Sequence, residues 1–166
     1  SLNMTGATIF SDAFGGHGGN VQLNVGNIQM RQGSAMGVSG LQGSGAFTLN
    51  AHSLLMDGTQ PIEADTAFSA GRPLTITADI IELRNGSSIR SHTVGNSDAG
   101  DIVVTARDRL IISDTQVSGR PSGFYSSSVG IEDAPLNSLG GHSGSVSLVT
   151  PRLEMAGGGR IDTSTQ

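Results

Sequence analysis

The fold of this chain is decided by the stretch GDIVVTA at positions 100–106, in which apolar inward positions alternate with positions that can face solvent. Such alternation is typical of a half-buried β-strand. Four other segments align with this stretch, and the matching apolar residues are Val21, Phe47, Leu74, Ile102 and Val146. Their first three intervals are 26, 27 and 28 residues, and the last is 44. The sequence therefore predicts a degenerate repeat in which these five side chains form one inward stack.

Each repeat continues with two further strand-like elements. After a short corner comes a second apolar pair: Ile28 and Met30, Leu54 and Met56, Ile81 and Leu83, Leu110 and Ile112, and Leu153 and Met155. Turn-forming residues such as Asn85 and Gly86 follow this pair. A third strand then begins, anchored by Met36, Ile62, Ile89, Val117 and Ile161. One repeat is thus predicted to contain three short strands and three corners.

A single repeat of this kind cannot bury its apolar edge, so it gains stability only when the next repeat stacks on it. Antiparallel hairpins would not place the same residue class at the same offset in successive repeats. We therefore expect an all-β fold, a single-stranded parallel β-helix (β-solenoid) of about five to six coils. Right-handed winding is expected because parallel crossovers are almost always right-handed. Residues 1–166 are expected to form one domain.

The outward positions offer an independent check on this register. Charges of opposite or complementary sign follow one another in three columns: Arg31, Asp57 and Arg84; Glu63 and Arg90; and Asp65 and His92. Strands stacked about 4.8 Å apart would bring these side chains together.

One segment, residues 120–142, does not fit the repeat. It contains Phe124, the single tyrosine Tyr125, a serine run and two prolines. We predict that it leaves one corner of the coil as a long loop, and a degenerate extra coil is the other interpretation. Exposed aromatic rings are the usual platforms for receptors and glycans, so Phe124 and Tyr125 are the predicted partner contacts. The alternative is that these aromatic residues fold back and cover the side of the coil.

Composition excludes several classes of function. The chain has no Lys, and its nine Arg against fourteen acids give a net charge of -5, so no basic patch for nucleic acid is expected. The absence of Cys excludes thiolate metal sites and thiol nucleophiles. The sequence has no run of 18 apolar residues, so no membrane span is predicted, and no signal peptide precedes the first repeat. Because the sequence starts in mid-repeat, we expect it to be a fragment of a longer repeat protein.

The strand, the apolar pair and the turn together resemble the repeats of filamentous-haemagglutinin-type exoproteins. The best-matching phrase is AGDIVVTA at 99–106, and the likeness covers residues 19–118 and 144–164. The resemblance implies a secreted, cell-surface adhesin of a Gram-negative-type bacterium, exported through an outer-membrane transporter by two-partner secretion. It also implies an unidentified host receptor, cell-surface receptor or glycan as partner. We see no secretion domain of that family, so the chain is expected to belong to the shaft, which has no catalytic residues.

The alternative is a β-helix enzyme that cleaves polysaccharides, or a phage depolymerase fragment. Glu82 and Glu154 fall in one outward column with Ile111 between them, about 9.6 Å apart from strand spacing, near the upper limit for an inverting pair. The pairs Asp98 with Asp101 and Glu132 with Asp133 are more simply turn formers or solvated charges. We therefore predict no catalytic, cofactor-binding or metal-binding residues, and a function that is not enzymatic.

Overall fold

The computed structural model describes residues 1–116, 119–130 and 141–165. In these ranges the chain is all-β, without helices. The strands are β1 (Leu2–Thr5), β2 (Thr8–Ser11), β3 (Val21–Asn24), β4 (Asn27–Arg31), β5 (Ala35–Gly40), β6 (Phe47–Asn50), β7 (Ser53–Asp57), β8 (Ile62–Thr66), β9 (Leu74–Arg84), β10 (Ser88–Val94), β11 (Ile102–Ile112), β12 (Gly123–Val129), β13 (Val146–Val149), β14 (Leu153–Met155) and β15 (Arg160–Thr165).

These strands form two parallel sheets. The larger sheet contains β1, β3, β4, β6, β7, β9, β11, β13 and β14, and the smaller runs in the order β15-β12-β10-β8-β5-β2. Strands that are neighbours in a sheet come from successive repeats, as when β4 pairs with β7 and β5 with β8. The two sheets contribute their inward side chains to a single apolar cluster.

The predicted inward stack is present. Val21 pairs with Phe47, Phe47 with Leu74, Leu74 with Ile102 and Ile102 with Val146. The three central residues are fully buried, while Val21 and Val146 are only half-buried. This difference follows from position, because the strands of Val21 and Val146 each have a paired strand on one side only within the described chain.

The predicted corner between the first and second strands is not a break in every repeat. In β9 and β11 the two strands run together as a single strand of 11 residues. Between Ala106 and Arg109 the register of β11 against β9 shifts by one residue. Neither strand contains a residue with positive φ, so no tight turn separates the first and second strands there.

The turn after the second strand is a true corner and carries a recurring buried hydroxyl. Asn85 and Gly86 both have positive φ, 52° and 77°. This left-handed conformation suits Gly and Asn, as the turn prediction required. The next residue, Ser87, is fully buried, and its Oγ accepts a hydrogen bond of 3.2 Å from the Thr59 amide of the preceding repeat. The side chain therefore binds one corner to its neighbour in the stack.

The segment 120–142 corrects the sequence prediction. Residues 123–129 form β12, which pairs with β10 and β15 and places Phe124 between Ile89 and Ile161. The prediction of a loop is therefore wrong for this stretch, and Phe124 occupies the third-strand anchor position that had been given to Val117. Residue Val117 and residues 131–140 lie outside the described residues.

The serine run was misleading because small side chains also occupy inward positions of the third strand in neighbouring repeats, as Ala64 and Ser91 do. Ser126 and Ser128 face inward and are buried, with their hydroxyls directed at the backbone oxygens of Gly100 and Ser97, both at 3.4 Å. In the neighbouring repeat Ser91 aligns with Ser126, and it is also fully buried. The inward serines of β12 thus direct their hydroxyls at the backbone of the segment before β11.

The glycine that opens the first strand yields a stability prediction. A Cβ added at Gly100 would collide with the backbone oxygen of Arg72, whereas one added at Gly15 would meet nothing within 4 Å. Gly100→Ala should therefore lower the free energy of unfolding by about 1–3 kcal/mol, as overpacking does. Gly15→Ala, the matched control, should change it by less than about 0.5 kcal/mol. Urea melts of the two variants measure this difference, and equal losses would contradict the close backbone packing.

Candidate functional site

The outer surface of the smaller sheet concentrates the polar side chains of the third strands. Two outward columns run across its strands, and we call this surface the third-strand face. One column consists of Phe10, Gly37, Glu63, Arg90, Tyr125 and Asp162, and the other of Ser39, Asp65, His92, Ser127 and Ser164. Asp12, just after β2, adjoins the second column through its hydrogen bond with Ser39. The alternation of each strand directs these side chains away from the core.

An ion-pair cluster lies at the centre of this face. Arg90 contacts Glu63 at 2.7 Å and Asp65 at 3.0 Å. The predicted pairing of Glu63 with Arg90 is thus confirmed, and His92 lies beside Asp65 in the register as expected. The guanidinium group of Arg90 therefore forms ion pairs with two carboxylates of the preceding repeat.

Burial has the largest effect on the pKa of both the Glu63 and the Asp65 carboxyl groups. Their side chains are only 17% and 25% exposed. Desolvation, assisted by repulsion from Asp65, raises the pKa of Glu63 despite the nearby Arg90. Desolvation also raises the pKa of Asp65, although Arg90 and His92 act in the opposite direction. One oxygen of Asp65, Oδ1, is buried without a hydrogen-bond partner in the described part of the chain.

These pKa directions predict how stability depends on pH. A carboxyl whose pKa is raised on folding binds more protons folded than unfolded, so its contribution to stability is lost as pH rises through the folded pKa. The ordinary values are 4.5 for Glu63 and 3.8 for Asp65, so the loss begins near pH 4. The double variant Glu63→Gln/Asp65→Asn should therefore gain stability relative to wild type between pH 4 and pH 7.

Thermal melts at several pH values measure this trend. Asp108→Asn is the control for loss of a surface charge, because the Asp108 side chain is 63% exposed. If the double variant instead becomes less stable than wild type as pH rises, attraction to Arg90 outweighs burial.

Beside the ion pairs lies a groove of about 370 Å³. Its polar wall consists of Asp12, Ser39, Asp65 and His92, and Ser39 Oγ donates a 2.6 Å hydrogen bond to Asp12. Its other side is apolar and includes Phe14, Leu41 and Val94. The groove therefore combines hydrogen-bonding groups with an apolar rim, as small-ligand sites do.

The apolar rim continues as a ridge of three exposed side chains, which we call the apolar ridge. Phe14 is 90% exposed, Phe68 64% and Leu41 42%. Their corners are joined by backbone hydrogen bonds, because the amide of Leu41 donates to Ala13 and that of Phe68 to Leu41. Sequence reasoning missed this ridge. The signal that could have revealed it is a bulky apolar residue that recurs every 27 residues, at positions 14, 41 and 68, in glycine-rich corners.

Of the two predicted partner contacts, Phe124 is wrong because its side chain is fully buried in the core. Tyr125 lies outward on the third-strand face and remains a predicted contact. It is half-buried, its hydroxyl donates to the Pro121 carbonyl at 3.1 Å, and burial raises its pKa. A depression of about 270 Å³ lies beside Tyr125, His92 and Arg160.

The carboxylates considered for catalysis are each held by arginine. Glu82 and Glu154 both pair with Ile111 in the register, so they share one outward column as expected. Glu82 contacts Arg84 at 2.6 Å, and Glu154 contacts Arg152 at 2.6 Å. Each of these carboxylates is therefore paired with an arginine two residues away in the sequence.

The loop acids have structural partners or lie outside the described ranges. Asp98 accepts a hydrogen bond from the His142 amide, and Asp101 accepts one from the Ser145 amide, each at 2.7 Å. Glu132 and Asp133 are not among the described residues. Within the described ranges, no group of three or more His, Cys, Asp or Glu is placed to hold a metal ion.

Comparisons with protein-family models, curated proteins and solved structures found no match. Among the residues described, no helix has the length and apolarity to cross a membrane.

Proposed function

We propose that this chain is a segment of a right-handed, single-stranded parallel β-helix of about five to six coils, and that it serves as a non-enzymatic shaft. The observation that carries the proposal is the parallel pairing of successive repeats in both sheets. In the larger sheet one row runs from Val21 to Val146. In the smaller sheet another runs from Ile9 to Ile161. A stack with this regularity extends in one direction and holds its outward columns at a fixed spacing.

The biological setting of the proposal is a secreted, filamentous-haemagglutinin-like adhesin on the outer surface of a Gram-negative-type bacterium. Its support is the resemblance of residues 19–118 and 144–164 to the repeats of that class, with AGDIVVTA at 99–106 as the best-matching phrase. Export would then require an outer-membrane two-partner secretion transporter, and adhesion a receptor or glycan on a cell surface. The coding region tests this setting: we expect a gene for such a transporter beside it, and a gene neighbourhood without one would contradict the export route.

The competing function is a carbohydrate-active enzyme or depolymerase fragment. The observation that favours it is the shared column of Glu82 and Glu154, two strand spacings or about 9.6 Å apart. Each carboxylate forms an ion pair with an arginine, which argues for a structural role. We therefore place the shaft ahead of the enzyme.

Incubation with neutral and acidic polysaccharides separates the two functions. The shaft proposal predicts no release of reducing ends or unsaturated products above a heat-denatured control. Glu82→Gln and Glu154→Gln are the matched variants. Product release that either variant abolishes would overturn the shaft proposal and establish the enzyme.

A further inference from the structure

The apolar ridge is unusual among the exposed side chains of this protein. Single exposed apolar residues are ordinary on protein surfaces. Phe14, Leu41 and Phe68, however, recur at the same position of three successive repeats and align across neighbouring corners. The backbones of Phe14 and Phe68 are two strand spacings apart, or about 9.6 Å. The ridge therefore presents flat apolar surfaces at a regular interval along the stack.

The size of the site indicates the kind of partner. A stable protein interface buries roughly 800 Å² on each partner, which is far more than three side chains provide. The groove beside the ridge, about 370 Å³, falls in the range of small-ligand sites. An extended chain of small units, each contacting one part of the ridge, fits this geometry.

The chemistry of the groove narrows the partner further. Asp12, Asp65 and Ser39 offer oxygen acceptors, and His92 offers a ring nitrogen, so a ligand rich in hydroxyl groups can be hydrogen-bonded. Among the described residues, two carboxyl groups, those of Asp12 and Asp65, line the groove, and no arginine does. The resulting negative charge disfavours uronic or sulfated sugars.

We propose that the groove and the apolar ridge bind an extended glycan chain without acidic groups, whose sugar faces stack on the rings of Phe14 and Phe68. This inference rests on the proposed adhesin function and adds to it the class of ligand that the shaft binds. Aromatic rings supply rigid apolar contact area at low entropic cost, and the polar wall fixes the orientation of the sugar hydroxyls. Tyr125, the contact expected from the sequence, lies outside this groove.

Isothermal titration with defined hexasaccharides tests the site. The uncharged probes are cellohexaose, mannohexaose and N-acetylated chitohexaose, and the acidic probe is hexagalacturonate. We expect wild type to bind at least one uncharged probe more tightly than hexagalacturonate. Phe14→Ala and Phe68→Ala should each weaken that binding at least fivefold. Val149→Ala is the control, because Val149 is also exposed, at 59%, but lies on β13 in the other sheet.

Three results would overturn the site: no uncharged probe bound at millimolar concentration, stronger binding of hexagalacturonate, or binding unchanged in the Phe14→Ala/Phe68→Ala double variant. Both rings are exposed, so the variants should keep the urea midpoint of wild type, and loss of binding then reports the contact itself.

Failure of this inference differs from failure of the shaft proposal. Cleavage of a probe would overturn the shaft, whereas absence of binding without cleavage overturns only the glycan site.

Discussion

Phe124→Ala should lower the free energy of unfolding by about 3–5 kcal/mol, the range for loss of a buried aromatic side chain. Phe124 is fully buried and lies between Ile89 and Ile161 in the inward row of the smaller sheet. Its removal would leave a cavity between the two sheets, which both contribute to the same core. Urea denaturation, with constant slope as evidence of two-state behaviour, measures the loss.

The adjacent Tyr125 provides the matched control for this change. Tyr125→Phe removes only the hydroxyl that donates to the Pro121 carbonyl, so it should cost at most about 1.5 kcal/mol. A near-neutral Phe124→Ala, or a Tyr125→Phe that is equally damaging, would mean that residues 123–129 are a loop after all.

Ile76→Ala should cost about 2–4 kcal/mol, because Ile76 is fully buried in the centre of the larger sheet. It pairs with Leu49 on one side and Val104 on the other, so the cavity would also loosen the neighbouring repeats. Val104→Ala should behave in the same way. Hydrogen exchange should accordingly accelerate in β6 and β11 as well as in β9.

Asp57→Ala is the control for outward contacts and should cost at most about 1 kcal/mol. Asp57 lies between Arg31 and Arg84 in the register, as predicted. The contacts are nevertheless different from the expected ladder, because Asp57 accepts a 2.6 Å hydrogen bond from Asn85 while Arg84 contacts Glu82. If Asp57→Ala proved more damaging than Ile76→Ala, burial would not determine the register.

The parallel register could be predicted because it depends on recurring large apolar residues. Leu74 and Ile102 are fixed by alternation and by the repeat length, and the pairing of Glu63 with Arg90 follows from the same alignment. The third strand at 123–129 could not be recognised in this way. After Phe124 its inward residues are Ser126 and Ser128, and a strand that packs small hydroxyls looks like a loop in the sequence.

The candidate site was harder to predict than the fold. From the sequence, Phe124 was considered as an exposed contact, with packing against the coil as the alternative, and no role was assigned to Phe14 or Phe68. In the structure Phe124 is buried while Phe14 and Phe68 are exposed. Both exposed rings lie in corners, where no alternation of apolar and polar residues indicates whether a side chain faces the core or the solvent. Only their spacing of two repeats carries information about the site.

The central claim, a parallel stack that advances by one strand spacing per repeat, is tested most directly by spin-label distances along one outward column. Gln22, Thr75, Val103 and Ser147 belong to such a column, and the chain has no cysteine of its own. Cysteine pairs at Gln22 with each of the other three can therefore be labelled cleanly.

We expect backbone separations of about 10, 14 and 19 Å for the pairs ending at Thr75, Val103 and Ser147, with label distances that rise by one strand spacing per repeat. A Gln22–Ser147 distance equal to or shorter than the Gln22–Thr75 distance would contradict the stack.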